Sequence, residues 1–475
     1  MSDDDLVYLP AHEALHRFRA KTLSPVELME ATIRRAEATR TPVNALTYTH
    51  FDEAMDLARK AEAKYARGAR TGALEGLPVG IKDESAIAGK PCSSGSLLLE
   101  DHVATHTSPH NARVLRAGGI CHARTATPEF CCAGYTWSKL WGVTRNPWNP
   151  AYTPGGSSGG AGASLAAGSS SLATGSDIWG SIRIPASACG VVGFKPPYGR
   201  NADDAPFNLD FYCHSGPLAR SVTDAALLQN VMSGPSSTDI STLWPKKRLP
   251  MTHRPIAGWK IAVSMNLGFY EVDPDVERNT QAALDVFRSL GAEVNEVDLG
   301  WTAETLSSAM TYLEHIFGAS LSDYLEEGAD RMTPYARAFA SRGRVSKAVD
   351  FVKSLGTVNA MYATLGPLLQ KHDVLVCPTN ALPAVVAEFD QSLDPLEING
   401  RPVHPILGWM MTVPFNMLSR LPVLSVPSGR AATGVPTGIQ IVGRPYADAS
   451  VFRAGLAYET ALGGWYGDAA SRPQL

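Results

Sequence analysis

Hydrophobic and polar positions recur along this chain with two different periods, and the switches between them mark out its elements. Near the start the spacing is helical. Ser24-Pro25-Val26-Glu27 joins an N-cap serine, a proline at the first helical position and a glutamate three residues after the cap, and Leu28, Ala31, Ile33 and Ala36 follow. A second amphipathic helix is predicted over 52–66. From about residue 77 short apolar runs take over at 79–81, 120–123 and 191–194, separated by helical stretches near 110–117, 159–171 and 222–232. That alternation predicts an α/β protein with a largely buried sheet. A proline-rich passage, 235–255, leads to a strand at 260–264 and a helix near 275–290, with Asp273 before Pro274 and Gly291 after its end. Residues 302–370 read as mostly helical, and strands return at 373–377, 423–426 and 438–442. No internal repeat or low-complexity tail interrupts the pattern, which favours one domain with a helical insertion over two independent ones.

Composition narrows the class. The chain has 475 residues, 44% hydrophobic and 19% charged, as expected of a protein that buries a large core. Its formal net charge of -4 is spread over both signs, and the one basic cluster, Lys246-Lys247-Arg248, lies between Pro245 and Pro250 and reads as a solvated loop. Nucleic acid is therefore not an expected partner. Met1-Ser2-Asp3-Asp4-Asp5 lacks the basic and apolar regions of a secretory signal, and no run of about 20 apolar residues occurs, so a cytoplasmic protein without membrane contact is expected. The small-residue stretch 159–175 suits a helix packed inside a protein. Seven cysteines, at 92, 121, 131, 132, 189, 213 and 377, show no Cys-x-x-Cys pair and no clustered histidine; they read as reduced core thiols with no metal site implied, Cys131 and Cys132 either lining a pocket or, the favoured reading, packing as small hydrophobes.

The chemistry concentrates in one stretch. Gly155-Gly156-Ser157-Ser158-Gly159-Gly160 is followed, 24 positions after Ser157, by Ser181 in Asp177-Ile178-Trp179-Gly180-Ser181-Ile182-Arg183-Ile184-Pro185. Upstream, Leu77-Pro78-Val79-Gly80-Ile81-Lys82-Asp83 is an apolar run ending on a lysine 75 positions before Ser157. A serine hydroxyl needs a neighbouring base before it is a nucleophile. One reading takes Gly155-Gly156-Ser157-Ser158-Gly159 as a nucleophile elbow, with Ser157 attacking and a histidine such as His372 or His404 as base. That elbow must follow a buried strand, and Trp148 to Pro154 holds two prolines that would break a ladder. The other reading uses Lys82, which acts as a base only when neutral; burial lowers a lysine's pKa in that direction.

By these motifs the chain resembles the amidase signature family. The resemblance rests on Gly156-Ser157-Ser158-Gly159-Gly160, on Asp177-Ile178 with Gly180-Ser181-Ile182-Arg183-Ile184-Pro185-Ala186, on Gly80-Ile81-Lys82-Asp83, and on the spacings between them. Further matches run from about residue 20 to the C-terminus: Gly142-Val143-Thr144-Arg145-Asn146-Pro147-Trp148, Cys189 to Pro196, Val413-Pro414-Phe415-Asn416 and Gly438 to Gly443. The resemblance implies the amidase signature fold, a central twisted mixed β-sheet covered by helices on both faces, as a single domain over 1–475, with N-terminal helices at 1–70, a catalytic core at 71–235 and a helical insertion at 300–370.

It also implies a set of roles: Ser181 the acyl nucleophile, Ser157 the proton relay held by a cis peptide bond, and Lys82 the base. The oxyanion hole would be the backbone N-H groups of Ile178, Trp179, Gly180 and Ser181. Ser158, Asp177 and Arg183 would support the site. The sequence departs from the family's commonest pattern at Trp179, where glycine is frequent, so an indole would either wall the acyl pocket or pack beneath the loop. Tyr135, Trp137, Phe415 and Asn416 are further candidate pocket residues, with Trp141, Met410 and Met411 as other apolar candidates. The function implied is an amidohydrolase that cleaves linear, aryl or cyclic amides, with carbamates and esters open, through an acyl-enzyme. No cofactor is needed, the substrate is a small-molecule amide, and a homodimer follows from family habit. Arg145 to Asn149, the 413–416 segment and Arg472-Pro473-Gln474-Leu475 look most like stand-alone bacterial amidases that include aminohexanoate cyclic dimer hydrolases. Two alternatives are a glutaminase subunit of a tRNA-dependent amidotransferase and a non-catalytic interaction module derived from the fold.

Overall fold

The apolar runs of the sequence become the interior of one mixed sheet in a computed structural model that describes residues 2–475. Eleven strands form it: β1 (Leu46–Thr49), β2 (Pro78–Lys82), β3 (Ile120–Thr125), β4 (Leu172–Asp177), β5 (Val192–Lys195), β6 (His214–Ala219), β7 (Lys260–Val263), β8 (Glu293–Glu296), β9 (Val374–Pro378), β10 (Val423–Arg430) and β11 (Pro436–Val442). Their spatial order is β1-β3-β2-β4-β6-β5-β10-β11-β9-β7-β8. β2 runs parallel to both β3 and β4, and β7 runs parallel to β8 and β9. The centre, from β4 through β6, β5, β10 and β11 to β9, is antiparallel.

Period-two alternation assigns side chains to the two faces. Ile261, Val263, Val374, Val376, Leu424, Val426, Ile439 and Ile441 pack together on one side with helices Ala11–Ala20, Val222–Met232, Pro274–Ser289 and Asp448–Leu462. Their strand neighbours Ala262, Leu375, Cys377, Val423 and Val442 face the opposite core, which the helices of 304–371 close. Because both faces are covered, the strands read as nearly continuous apolar runs. Ser24 caps helix Pro25–Val43 in a capping box with Glu27, as the sequence predicts, and Asp273 caps Pro274–Ser289.

Two elements differ from expectation in ways that matter for the site or bear on its surroundings. The helix expected over 159–171 ends at Ala166, because Gly168 takes a left-handed φ of 79° and the chain turns directly into β4. Every residue of Gly159–Ala166 is buried, which its small side chains permit. The region 302–370 is helical, but the run is broken by a π-helical turn at Glu314–Gly318 between helix Glu304–Leu313 and the later helices, the kind of irregularity that often marks a functional wall. Lys246, Lys247 and Arg248 are exposed in an irregular loop, in line with the solvated reading. No helix among the described residues is long and apolar enough to cross a membrane.

Candidate active site

Lys82 is the last residue of β2, and the parallel neighbours β3 and β4 bury it completely. Its ammonium donates to the Ser157 hydroxyl at 2.8 Å and to the Ser176 hydroxyl at 2.8 Å, and the Glu84 carboxylate stands 3.4 Å away. Two hydroxyl acceptors and one carboxylate thus surround the ammonium inside the protein. Burial pushes its pKa down, and the neighbouring Glu84 carboxylate and Cys131 push it up. Burial raises the Cys131 thiol to about 12, so that group is neutral near pH 7, and Glu84 is the partner whose charge acts there. The Glu84 carboxyl is itself held below its ordinary value: burial opposes this, and Lys82 outweighs it.

Ser157 follows a cis peptide bond from Gly156, as the resemblance implies. Only glycine fits at position 156, since a Cβ there would lie 2.3 Å from the Tyr135 carbonyl oxygen. Ser158 begins the buried helix; its N-H donates to the Ser181 carbonyl at 3.1 Å and its hydroxyl to the Ser176 carbonyl at 3.3 Å. The two serine-bearing segments are thus tied together through Ser158. Neither candidate histidine serves Ser157. The His372 ring nitrogen lies 2.9 Å from the Leu368 carbonyl and His404 accepts from the Ile406 and Leu407 N-H groups, while Trp148 to Pro154 forms no strand of the main sheet.

Residues 178–182 make the turn from β4 into helix Arg183–Cys189, and the Asp177 carboxylate organises that turn. It accepts from the Gly180 N-H at 2.8 Å, from the Ile182 N-H at 3.3 Å and from Arg183 through two bonds of 2.9 Å. Arg183 is fully buried and also donates to the Thr412 carbonyl, to Gln440 and to Asn416. Asn416 in turn donates to Asp177 at 2.8 Å. Burial pushes the Asp177 carboxyl up, but the Arg183 charge and these hydrogen bonds hold it well below the usual carboxylate range. Gly180 sits at a φ of 123°, and a Cβ there would meet Thr412 Oγ1 at 2.0 Å. One expected oxyanion donor is therefore committed elsewhere: the Gly180 N-H serves Asp177, which leaves Ile178, Trp179 and Ser181.

Ser157, Ser176 and Ser181 open together onto a cavity of about 590 Å³, inside the range of about 300–1,000 Å³ usual for small-molecule sites. Its walls are mostly apolar, with Phe130, Trp179, Leu313, Phe317, Phe339 and Met410 among them. The helical insertion supplies Leu313, Phe317 and Phe339. Trp179 is 7% exposed; its ring lines the cavity while it packs edge-on against Tyr212 at 5.5 Å and Tyr312 at 6.4 Å.

Other candidate pocket residues stand behind the wall. Tyr135 accepts the Gln391 N-H, Trp137 donates to the Phe389 carbonyl, Phe415 is fully buried, and Asn416 locks Asp177; none of the four lines the cavity. Conversely, Cys131 and Cys132 both line it, the less favoured of their two readings. Sequence reasoning missed Ser176 and Glu84. Ser176 reaches the site as part of β4, a strand with no clear pattern in the sequence. Glu84, two residues past Lys82, reaches the site only because the chain turns back after β2.

Comparison with known proteins bears on this arrangement directly. The family model described as Amidase matches residues 27–452. An acylamidase of Rhodococcus erythropolis is 33% identical over 97% of this chain and 96% of its own length, and a glutamyl-tRNA(Gln) amidotransferase subunit of Anaeromyxobacter sp. (strain K) is 32% identical over 97% of each. Among solved structures, a bacterial aryl acylamidase of the amidase signature enzymes superposes with a TM-score of 0.88 at 30% identity over 96% of both chains. A 6-aminohexanoate cyclic dimer hydrolase in complex with substrate superposes with a TM-score of 0.81 at 26% identity over 98% of this chain and 99% of that one. With the family model spanning most of its length and full-length relatives above 30% identity, this chain belongs to the amidase signature family and is an amidohydrolase.

Proposed function

We propose that the enzyme hydrolyses amides with apolar or aromatic acyl groups, working alone through an acyl-enzyme on Ser181. The observation that carries this reading is the 2.8 Å hydrogen bond between Lys82 and Ser157, on the floor of a cavity that Ser181 also lines. Once Lys82 has lost its extra proton, its amine takes the proton of Ser157, and Ser157 takes that of Ser181. Ser181 Oγ then attacks the amide carbonyl. The oxyanion would be held by the backbone N-H groups of Ile178, Trp179 and Ser181, aimed by the turn that Asp177 and Arg183 brace. As the C-N bond breaks, the amine receives its proton back through Ser157. A water then attacks the acyl-enzyme by the same relay and releases the acid.

The mostly apolar wall supports a hydrophobic or aryl acyl group over glutamine. Trp179 in particular fills space beside Ser181 that a small polar side chain would leave to water. A glutaminase component of an amidotransferase is the second reading, supported by the likeness to the glutamyl-tRNA(Gln) amidotransferase relative; the non-catalytic module has no observation in its favour. The same proposal includes the single domain over 1–475, a cytoplasmic location, supported by seven cysteines with no disulfide between them, and a homodimer, checked by light scattering. The deciding test gives the purified chain the 4-nitroanilides of benzoic and acetic acid, the cyclic dimer of 6-aminohexanoate, and glutamine. Hydrolysis of an anilide or the cyclic amide without any partner is the expected result. Activity on glutamine alone, and only after partner proteins are added, would overturn the proposal.

A further inference from the structure

Glu84 is not explained by the relay itself, yet it is built into it. Its carboxylate lies 3.4 Å from Lys82 Nζ, accepts the Cys131 thiol at 2.8 Å, and lines the cavity. The Cys131 sulfur lies in turn 3.1 Å from the Thr127 hydroxyl. The backbone that delivers this thiol is unusual: Phe130 and Cys131 are consecutive non-glycine residues in the left-handed region, at φ 49° and 60°. Such conformations are strained for residues with a Cβ and persist where surrounding structure over-determines them. Here the Phe130 N-H donates to the Ser94 carbonyl at 2.7 Å, the Glu129 N-H to the Tyr335 hydroxyl at 2.8 Å, and the Glu129 carboxylate accepts from Ser96 at 2.6 Å. The loop is held so that Cys131 faces Glu84 and Glu84 faces Lys82.

Other titratable groups do not compete for this position. From their own elements Cys92, Asp203 and Cys213 also feel the Glu84 charge, and burial raises the pKa of each. Asp203 accepts from Ser215, and His102 and His106 line the same cavity. Lys82 is the cation that Glu84 contacts.

We propose that Glu84 is a positioning residue that sets the pH at which the relay works, holding Lys82 as an ammonium between turnovers and releasing it as the base only when the pH rises. The proposal rests on the reading of Lys82 as the base. It makes the enzyme an amidase whose acylation switches on toward alkaline pH, with the threshold written by one carboxylate and the thiol that orients it. An opposite charge at this distance typically shifts a pKa by about 1–3 units, so neutralising Glu84 lowers the threshold by that order.

The test is the pH dependence of acylation by a fluorophosphonate probe in the wild type and in Glu84→Gln, Glu84→Asp, Cys131→Ala and Lys82→Ala, each first checked for a cooperative thermal transition. The ascending limb should move toward acid by about 1–3 pH units in Glu84→Gln. Glu84→Asp, which keeps the charge one methylene further away, should fall between Gln and wild type, and keeps the question open to measurement should the glutamine variant not fold. Cys131→Ala should move the limb less than Glu84→Gln. A limb unmoved in both Glu84 variants while Lys82→Ala is inactive would overturn the role of Glu84 alone. Wild-type rates in Lys82→Ala would overturn the base assignment beneath it.

Discussion

Lys82 keeps its charge in a fully buried place because the fold surrounds its ammonium with three acceptors, one of them a carboxylate. Wild-type acylation should therefore rise with pH on the alkaline side of neutrality, as the ammonium held beside Glu84 gives up its proton; a rate independent of pH from 6 to 10 would contradict this. A second prediction concerns Asp177 and Arg183, a buried pair in which each group depends on the other. Asp177→Asn leaves Arg183 with an uncompensated buried charge and should cost about 3–5 kcal/mol in urea unfolding. The native Asp177 pKa lies below the unfolded one, so its contribution is complete above about pH 4 and is lost as pH falls through and below that value. The gap between wild type and variant should accordingly stay constant from pH 5 to 8 and narrow below about 4. At Trp179, substitution by alanine opens the wall next to Ser181, and the ratio of kcat/KM for bulky over small acyl groups should rise by about 10- to 200-fold.

At the scale of elements, the turn after β4 and the loop before Cys131 are shaped by backbone contacts with few alternatives. Gly180→Ala would place a methyl against Thr412 in a positive-φ position, so acylation should fall sharply while the rest of the sheet still folds. Tyr335, on helix Pro334–Arg344, accepts the Glu129 N-H and donates to the Trp137 carbonyl at 2.6 Å. Tyr335→Phe leaves that buried N-H unpaired and should cost about 1–3 kcal/mol, read from the urea midpoint. Which elements were legible follows from how they are buried. β2 showed itself because Leu77 to Ile81 is an apolar run, and helix Pro25–Val43 because its cap is encoded locally. β4 did not, since Leu-Ala-Thr-Gly-Ser-Asp has neither apolar alternation nor β-branched bulk and is held by strands on both sides. Edge strand β8, Glu-Val-Asn-Glu, is mostly exposed, and helix Asp448–Leu462 is apolar nearly all round, so neither carries a clear period.

For the molecule as a whole, the family resemblance pointed to Lys82, Ser157 and Ser181, of which Lys82 bonds Ser157 and both serines line the cavity, but not to their electrostatic surroundings. Lys82 and Ser157 meet across 75 positions of sequence, and their contact follows from β2 and the start of helix Gly159–Ala166 lying side by side. Glu84, Ser176 and Cys131 join only where three separate segments converge, which no local spacing encodes. Apolar pocket residues were the least legible, because aromatic side chains such as Tyr135 and Phe415 fill a core as readily as they line a cavity. The global pH dependence of stability has its own signature at Glu459, whose carboxyl is raised by burial to about 7. A raised carboxyl binds its proton more tightly in the folded state, so its contribution is full below the unfolded value and fades as pH climbs toward 7. Glu459→Gln should flatten the stability profile across pH 4.5 to 7.

The most direct test of the account is intact-mass detection of a covalent fluorophosphonate adduct, followed by peptide mapping. One adduct on Ser181 is expected in the wild type, none in Ser181→Ala, and formation slowed by about 10²- to 10⁴-fold in Ser157→Ala and Lys82→Ala. An adduct that survives in Ser181→Ala and disappears in Ser157→Ala would contradict the account, and would make Ser157 the nucleophile.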